Sequence, residues 1–298
     1  MTAAEIVLPS FAKINLSLRV VGKRPDGYHE LCTTFQSVSL ADRMTFTPAD
    51  RLSLECTDPG LPIEGNLVLR AAEALRSRYG VTAGAAIRLE KRIPFPGGLG
   101  GGSSNAAVTL LALNRLWSIG ADVSALAAIG GTLGADVPYF FYGGRALGTG
   151  RGDAIDELED LQLGPLLIVV PDVDVPTADA FRGLNFNGLT SENPERILQI
   201  CREEADPSVF APGAAVNDLE PSVFENFPEV ARVKRSLIDL GATHAAMSGS
   251  GASVFAVFDK EETRHTAIKA LDNEVNWRKF AVAAISRSEY REALRSVF

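Results

Sequence analysis

Hydrophobic and polar residues alternate along the start of the chain, from residue 6 to residue 22. The hydrophobic positions are Ile14, Leu16, Leu18 and Val20, and the intervening polar positions are Lys13, Asn15, Ser17 and Arg19. A period of two predicts a β-strand with one buried face. On this pattern alone, the Lys13 side chain is expected to lie in solvent. A polar turn with Pro25, Asp26 and Gly27 follows, and residues 33–48 resume the strand pattern.

Residues 66–79, NLVLRAAEALRSRY, place their apolar side chains at helical spacing and stop before Gly80, a residue typical of helix C-termini. Residues 85–93 alternate again and predict another strand. The segment PFPGGLGGGSSNAA follows at residues 94–107, and an apolar-faced helix is expected from there to Trp117. Ser103, Ser104 and Asn105 are residue types that cap helices.

A strand, a glycine-rich loop and a helix N-terminus in succession predict a phosphate site. Glycine allows positive φ and a close approach of the backbone to a ligand, and the helix N-terminus presents unpaired N–H groups. The segment fits neither common phosphate loop: Ser103 stands where a Walker loop has Lys, and also where a dinucleotide loop has its third Gly. A flexible linker or a tight strand-to-helix turn is the alternative, although linkers seldom run directly into an apolar helix.

The remaining segments continue to mix helices and strands. DVSALAAIGGTLG predicts a helix, YFFYGG a strand, RALGTGRGDAIDEL a hairpin and GPLLIVVP a strand buried on both faces. Beyond residue 170 we expect helices near 193–204, 227–240 and 260–271, a strand broken at residues 249–251, and a strand at WRKFAVAAIS. This order favours an α+β sandwich with helices on one face of an antiparallel sheet. We expect one domain at residues 1–160 and another at residues 161–298.

Composition narrows the functional classes. The 298 residues are 46% hydrophobic and carry a net charge of −8, which is typical of a globular protein and argues against general binding of nucleic acid. The three cysteines show no metal-ligand spacing. Because no apolar run reaches the ~20 residues that cross a bilayer and the first residues lack a signal pattern, we expect a cytoplasmic protein without a membrane anchor.

Three separate segments resemble one family. PFPGGLGGGSSNAA is similar to the phosphate loop of the GHMP kinases, which are small-molecule kinases, and PSFAKINLSLRV and AMSGSGASVFAVF are similar to their N-terminal and C-terminal motifs. The similarity spans nearly the whole chain, with the motifs in the family's order. It implies a two-domain α+β fold, with a ribosomal-S5-like N-terminal α/β domain and a ferredoxin-like C-terminal α/β sandwich. It also implies ATP and Mg²⁺ as cofactors.

The resemblance also implies roles for individual residues. Lys13 and Asp136 match the catalytic pair, although Asp136 taken alone is as consistent with a helix or turn cap. Expected ATP contacts are Pro94, Gly97, Gly98, Leu99, Gly100, Gly101, Gly102, Ser103, Ser104 and Asn66, with Mg²⁺ near the Ser104 hydroxyl. Expected substrate contacts are Asn15, Tyr28, His29, Thr177, Phe181, Gly249, Ser250 and Gly251. Pro96 departs from the family pattern of Gly or Ala and, lacking an N–H group, is expected to stiffen the loop.

The segments KINLSLRVVGKRPDGYHEL and GADVPYF are similar to those family members that phosphorylate the 2-hydroxyl of a cytidine diphosphate-linked methylerythritol in isoprenoid synthesis. In these members Tyr28 and Phe181 correspond to two rings that enclose cytosine. The alternatives are a mevalonate-type or homoserine-type kinase, whose substrates have no base to stack, and a non-catalytic nucleotide-binding regulator. A dehydrogenase with a Rossmann fold is the weakest option. A monomer or weak homodimer is expected.

Overall fold

A computed structural model describes residues 5–184 and 216–298, together with residues 199, 202, 203 and 205 between them. The predicted helix near 193–204 lies almost wholly outside the described residues. No described helix is long and apolar enough to cross a membrane.

The N-terminal part of the chain forms a six-stranded sheet. Its strands are β1 (Ile6–Lys23), β2 (His29–Ala49), β3 (Ser53–Cys56), β4 (Gly84–Glu90), β5 (Arg145–Gly150) and β6 (Ala154–Glu157). The order is β3-β4-β2-β5-β6, with β1 paired antiparallel to the long strand β2. The predicted hairpin of β5 and β6 is confirmed.

Three helices cover this sheet: α1 (Leu67–Tyr79), α2 (Gly101–Leu116) and α3 (Val123–Leu133). Helix α1 ends at Gly80 in the left-handed conformation, as its sequence predicts. Helix α2 is the central element, because every residue from Ser104 to Leu113 is buried. Its N-terminus, which carries the glycine-rich segment, therefore has a fixed position against the sheet.

The C-terminal part of the chain forms a second, fully antiparallel sheet in the order β10-β7-β9-β8. Its strands are β7 (Leu166–Pro171), β8 (His244–Met247), β9 (Val254–Val257) and β10 (Trp277–Val282). The helices among the described residues of this part are α4 (Thr177–Arg182), α5 (Glu220–Asn226), α6 (Pro228–Asp239) and α7 (Glu261–Ala270). Leu167 and Val169 of β7 share a hydrophobic core with these helices. The predicted α+β sandwich is confirmed.

The opposite face of the second sheet packs on β1. Leu166, Ile168 and Val170 share a core with Ile14 and Leu16 of that strand. The prediction for Lys13 is wrong because the opposite face of β1 is covered as well. The glycine-rich segment lies against that face, with the Gly98 carbonyl oxygen 2.9 Å from Lys13 Nζ, and Lys13 is only 2% exposed. Alternation identified the strand but not the loop that covers its polar face.

Two local predictions are also wrong. The aromatic segment beginning at Tyr139 is a 3-10 turn, Pro138–Phe141, because Pro at its first position favours a helical start. Helix α2 is capped by Gly100 at φ +69° rather than by Ser103, Ser104 or Asn105, which lie inside the helix. Glycine is the residue that reaches this left-handed conformation at little cost.

The C-terminal residues add a second crossing between the domains to the one predicted at residue 160. Helix α8 (Arg287–Ala293), which we did not expect, returns to the first domain. Tyr290 is fully buried in the first core and donates a 2.7 Å hydrogen bond to the Phe140 carbonyl oxygen. The chain therefore passes from the first domain to the second near residues 157–166 and crosses back after β10.

Candidate active site

Lys13 and Asp136 meet although they are far apart in the sequence. Lys13 lies in the middle of β1, and Asp136 lies in the turn between α3 and the 3-10 segment. Their side chains form an ion pair with Lys13 Nζ 3.3 Å from Asp136 Oδ2. The lysine side chain is 3% exposed and the aspartate side chain 34%. The pair thus has a buried cation and a carboxylate that solvent and ligands can reach.

The Lys13 ammonium has two further acceptors. It donates to Asn15 Oδ1 at 2.6 Å and to the Gly98 carbonyl oxygen at 2.9 Å. An ammonium has three N–H donors; Asn15 and Gly98 accept from two of them, and the Asp136 carboxylate lies at ion-pair distance from the same nitrogen. This coordination fixes the direction of the lysine side chain and places its charge beside the aspartate.

The glycine-rich loop passes over β1 before it enters α2. The Lys13 backbone N–H donates to the Leu99 carbonyl oxygen at 3.0 Å, and a Cβ on Gly100 would lie 3.0 Å from Lys13 Cγ. The first helical bond runs from Ser104 N–H to the Gly100 carbonyl at 2.8 Å. Helix geometry leaves the N–H groups of Gly101, Gly102 and Ser103 without a helical acceptor, which is the arrangement that binds phosphate.

The structure corrects the two roles predicted for Ser104. Its N–H group belongs to the helix, and its side chain is completely buried. The Ser104 hydroxyl accepts a 2.8 Å hydrogen bond from Ser10 Oγ, which in turn accepts one from Asn105. The Ser104 hydroxyl is therefore not in a position to ligate Mg²⁺ on a nucleotide.

Asn66 is also placed differently from the prediction. It is the N-cap of α1, and its side-chain oxygen accepts a 3.0 Å hydrogen bond from Val68 N–H. Its amide nitrogen donates to the Pro62 carbonyl oxygen at 3.3 Å. The next residue, Leu67, lines the central cavity and Asn66 does not. The geometry supports a structural cap rather than the predicted nucleotide contact.

One cavity of about 770 Å³ contains almost all the predicted site residues. Its wall includes Lys13, Asn15, Tyr28, His29, Pro94, Gly97, Gly98, Leu99, Gly100, Gly101, Gly102, Ser103, Asp136, Thr177, Phe181, Gly249, Ser250 and Gly251. Both domains contribute to it. The phosphate loop and the ion pair therefore share one space with the aromatic residues predicted to bind the substrate.

Aromatic side chains form the substrate side of this cavity. Tyr28, at the tip of the β1–β2 hairpin, is 57% exposed. The His29 and Phe181 rings stack with their centroids 4.8 Å apart and their planes at 16°. Burial, and to a lesser degree the charge of Lys23, lowers the pKa of His29 below its usual 6.5. His29 is consequently neutral at neutral pH, as suits a hydrogen-bonding partner for an uncharged base.

The second domain closes the cavity through α4 and the β8–β9 turn. Thr177 begins α4 and lies one helical turn before Phe181, so the two side chains share a face of the helix. Thr177 Oγ1 lies 3.1 Å from Ser250 Oγ. The buried Asn217 donates to the carbonyl oxygens of Met247 and Gly249, both at 2.8 Å, and so fixes the turn.

Two further residues of this site, Arg151 and Phe95, were not predicted from the sequence. Arg151 lines the cavity, and its guanidinium lies 5.2 Å from the centre of the Tyr28 ring. It is held by Asp153, whose Oδ2 accepts from Arg151 Nε at 2.9 Å. Phe95, 60% exposed, lies beside the phosphate loop. The hairpin pattern gave no sign that Arg151 belongs to the site. An aromatic residue at the edge of a glycine-rich loop, here Phe95, was a signal that could have been used.

Comparison with known proteins identifies relatives along the whole chain. The family model "GHMP kinases N terminal domain" matches residues 66–144, and "GHMP kinases C terminal" matches residues 190–276. A 4-diphosphocytidyl-2-C-methyl-D-erythritol kinase of Chlorobium limicola is 42% identical over 88% of this chain and 92% of its own. The protein of that name from Solibacter usitatus is 42% identical over 97% of this chain and 91% of its own.

Solved structures agree with the sequence relatives. A crystal structure of 4-(cytidine 5'-diphospho)-2C-methyl-D-erythritol kinase is 36% identical with a TM-score of 0.75, covering 94% of this chain and 99% of its own. A homoserine kinase from Cytophaga hutchinsonii has a TM-score of 0.68 at 21% identity, covering 95% of each chain. The Methanococcus jannaschii mevalonate kinase has a TM-score of 0.68 at 16% identity, covering 96% of this chain and 99% of its own. The last two show the shared fold alone.

Proposed function

The chain belongs to the 4-diphosphocytidyl-2-C-methyl-D-erythritol kinases of the GHMP kinase family, and from that membership we propose how it carries out the family's reaction. It transfers the γ-phosphoryl group of ATP to the 2-hydroxyl of 4-diphosphocytidyl-2-C-methyl-D-erythritol, giving ADP and the 2-phosphate in the non-mevalonate route to isoprenoids. The observation that supports this most directly is the single cavity that unites the phosphate loop, the Lys13–Asp136 pair and the aromatic side chains.

Phosphoryl transfer depends mainly on positioning and on stabilising negative charge. The N–H groups of Gly101, Gly102 and Ser103 hold the ATP phosphates at the positive end of the α2 dipole. Gly98 and Gly100 have φ of +71° and +69°, which shapes the loop so that its backbone reaches these phosphates. Leu99 is buried and anchors the loop in the core shared by β1 and β7.

Asp136 accepts a hydrogen bond from the substrate 2-hydroxyl and directs its oxygen towards the γ-phosphorus. A carboxylate is a weak base towards an alcohol, so its main work is orientation, and the proton leaves late in the transfer. Lys13 places a positive charge beside Asp136 and the reacting atoms. Since its ammonium donates to Asn15 and Gly98 and pairs with Asp136, it acts at this stage as an electrostatic partner rather than a phosphate ligand.

The residues around the phosphate loop fit a Mg²⁺ ion held mainly by the nucleotide. Among the described residues, no three His, Cys, Asp or Glu side chains come together as a metal site. Mg²⁺ in kinases typically binds phosphate oxygens, waters and one or two carboxylates. Asp136 and Ser103 line the cavity beside the phosphate loop, and their side-chain oxygens would hold the ion there. Mg²⁺ bound there would neutralise the charge of the transferring phosphoryl group.

On the substrate side, Tyr28 and Phe181 provide the flat surfaces for cytosine, and His29 and Asn15 provide hydrogen bonds. The stacking of His29 on Phe181 supports an aromatic substrate side, and it does not involve Tyr28. Thr177, Ser250 and the glycines beside it line the cavity from the second domain, and we expect them to contact the diphosphate and sugar. A cytoplasmic location and a monomer or weak homodimer stay predictions.

The test is a coupled ADP-release assay with ATP, Mg²⁺ and 4-diphosphocytidyl-2-C-methyl-D-erythritol, run beside mevalonate and homoserine. We expect turnover of the cytidyl substrate alone, and its loss in Asp136→Ala. Turnover of mevalonate or homoserine instead would replace the substrate assignment. Binding of ATP without turnover of any of the three would support the non-catalytic alternative.

A further inference from the structure

Ser248 connects the second domain to the catalytic lysine. It follows β8 at the start of the glycine turn and is completely buried. Its hydroxyl donates to the Gly98 carbonyl oxygen at 3.0 Å and accepts from the Asn15 backbone N–H at 3.3 Å. The residues concerned are separated by 150 and 233 positions in the chain. One hydroxyl therefore joins the phosphate loop, strand β1 and the second sheet.

The two partners of Ser248 are the two uncharged acceptors of Lys13. Gly98 accepts from Lys13 Nζ at 2.9 Å through the same carbonyl oxygen that Ser248 contacts. Asn15 accepts from Lys13 Nζ at 2.6 Å through its side chain. A carbonyl oxygen has two lone pairs, so Lys13 and Ser248 together complete the Gly98 acceptor and fix the orientation of that peptide.

The Gly98 peptide needs such a restraint. The loop residues around it are glycines with few conformational limits, and Gly98 itself has φ of +71°. The backbone of the second domain approaches so closely that a Cβ on Gly98 would collide with the Ser248 carbonyl oxygen. The second domain thus fixes both the position and the direction of the acceptor that Lys13 uses.

We propose that Ser248 is a positioning residue of the kinase, acting through Gly98 and Asn15 to direct the Lys13 ammonium at Asp136. The inference rests on the proposed function, since it assigns Ser248 a part in the same phosphoryl transfer. It predicts an effect on the chemical step rather than on the binding of either substrate. The active arrangement of Lys13 then depends on contact between the two domains.

Ser253 is a matched control in the same turn. It is as fully buried as Ser248, yet its hydroxyl has no hydrogen-bond partner among the described residues. Ser253 does not line the cavity. Replacing either serine with alanine removes one buried oxygen from the β8–β9 turn, but only Ser248→Ala removes the link to Gly98 and Asn15.

The experiment compares wild type, Ser248→Ala and Ser253→Ala in steady-state kinetics with ATP and the cytidyl substrate, with thermal unfolding measured in parallel. We expect Ser248→Ala to lower kcat about ten-fold to a hundred-fold, the range that misplaced catalytic groups produce, with both KM values close to wild type. Ser253→Ala should keep the wild-type kcat. If Ser248→Ala does not fold, Ser248→Cys retains the volume with a weak donor and should show a smaller loss of kcat.

A second experiment tests whether Ser248→Ala lowers kcat by changing the position of Lys13. In the Lys13→Ala background, measured with radiolabelled ATP in single turnovers, Ser248→Ala should cause no further loss, because residues that act as a unit are not additive. Equal kcat values for Ser248→Ala and Ser253→Ala, or an undiminished loss without Lys13, would overturn the inference. A wild-type enzyme that does not phosphorylate the cytidyl substrate would instead overturn the proposed function.

Discussion

Lys13 Nζ lies 3.3 Å from Asp136 Oδ2, and the two side chains differ sharply in exposure, at 3% and 34%. Burying an ammonium is costly unless it is paired and fully hydrogen-bonded. Asn15 and Gly98 accept hydrogen bonds from the Lys13 ammonium, so two neutral acceptors and one carboxylate offset its burial. The carboxylate faces the cavity, where the substrate hydroxyl is expected.

Asp136→Asn tests the role of this carboxylate with almost no change in shape. Because the amide neither carries the charge nor accepts the hydroxyl proton, we expect kcat to fall about 10²–10⁴-fold, the usual contribution of a positioned acid or base. ATP affinity, measured by calorimetry, should change little. Asp122→Asn at the exposed N-cap of α3 is the charge-matched control. A kcat of Asp136→Asn within the range of that control would contradict the assigned role.

Tyr28→Ala tests the aromatic wall of the substrate side. Stacking of a base on an aromatic ring contributes about 1–3 kcal/mol, so KM for the cytidyl substrate should rise roughly ten-fold to a hundred-fold. Tyr28→Phe keeps the ring and should retain most of the affinity, and KM for ATP should be unchanged in both variants. Tyr79→Ala removes an exposed tyrosine at the end of α1 and is the control. An equal rise in KM for ATP would indicate a general disturbance of the cavity instead.

The sequence predicted most elements of the fold because each depends on local patterns. The alternation in β1, the glycine at the end of α1 and the glycine-rich segment before α2 all have local physical causes. The motifs also indicated most of the cavity wall. Contacts between distant segments were not predictable in this way: period two cannot show that the second sheet packs on Ile14 and Leu16, or that the glycine-rich loop buries Lys13 on the opposite face.

Other features were missed for identifiable reasons. Ser104 was predicted to bind phosphate because the sequence does not show at which residue α2 begins. The conformation of Gly100 sets that start, and the start determines which serine faces the cavity. Helix α8 had a readable signal that we did not use, the capping box of Ser286 and Glu289. The role of Ser248 follows from contacts with residues more than 100 positions away in the chain. Composition carries no information about such contacts.

Gly98→Ala tests the close contact between the phosphate loop and the second domain. The new methyl group would collide with the Ser248 carbonyl oxygen, and φ of +71° is strained for alanine. We expect the free energy of unfolding to fall by roughly 2 kcal/mol or more, in the range of backbone strain combined with overpacking. Urea unfolding measures this change.

The control for that substitution is Gly102→Ala, used for stability alone. A Cβ at Gly102 would meet Leu67 Cδ1 at 3.6 Å, an ordinary contact, and the residue lies in the first turn of α2. Alanine is favourable in a helix, so the unfolding midpoint should be maintained or raised. Equal stability of the two variants would show that the domains do not meet at Gly98 as described.

The burial of His244 leads us to expect a lower free energy of unfolding in mild acid. It lies on β8, 6% exposed, and burial, with a smaller effect from the charge of Lys234, lowers its pKa from 6.5 to about 4. The unfolded chain therefore takes up a proton below pH 6.5 that the folded chain does not accept until near pH 4. The contribution of His244 to the free energy of unfolding is fully present above pH 6.5. It decreases as the pH falls, by about 1.4 kcal/mol on reaching about pH 5.5.

The measurement is urea unfolding at about pH 7.5 and about pH 5.5 for wild type and His244→Gln. The variant cannot take up this proton when it unfolds, so its stability should fall less than that of wild type, by the amount given above. His265→Gln, on the exposed side of α7, should retain the wild-type decrease. If wild type and His244→Gln lose the same stability over this interval, His244 is protonated equally in the folded and unfolded chains, and the acid sensitivity of the second domain has another source.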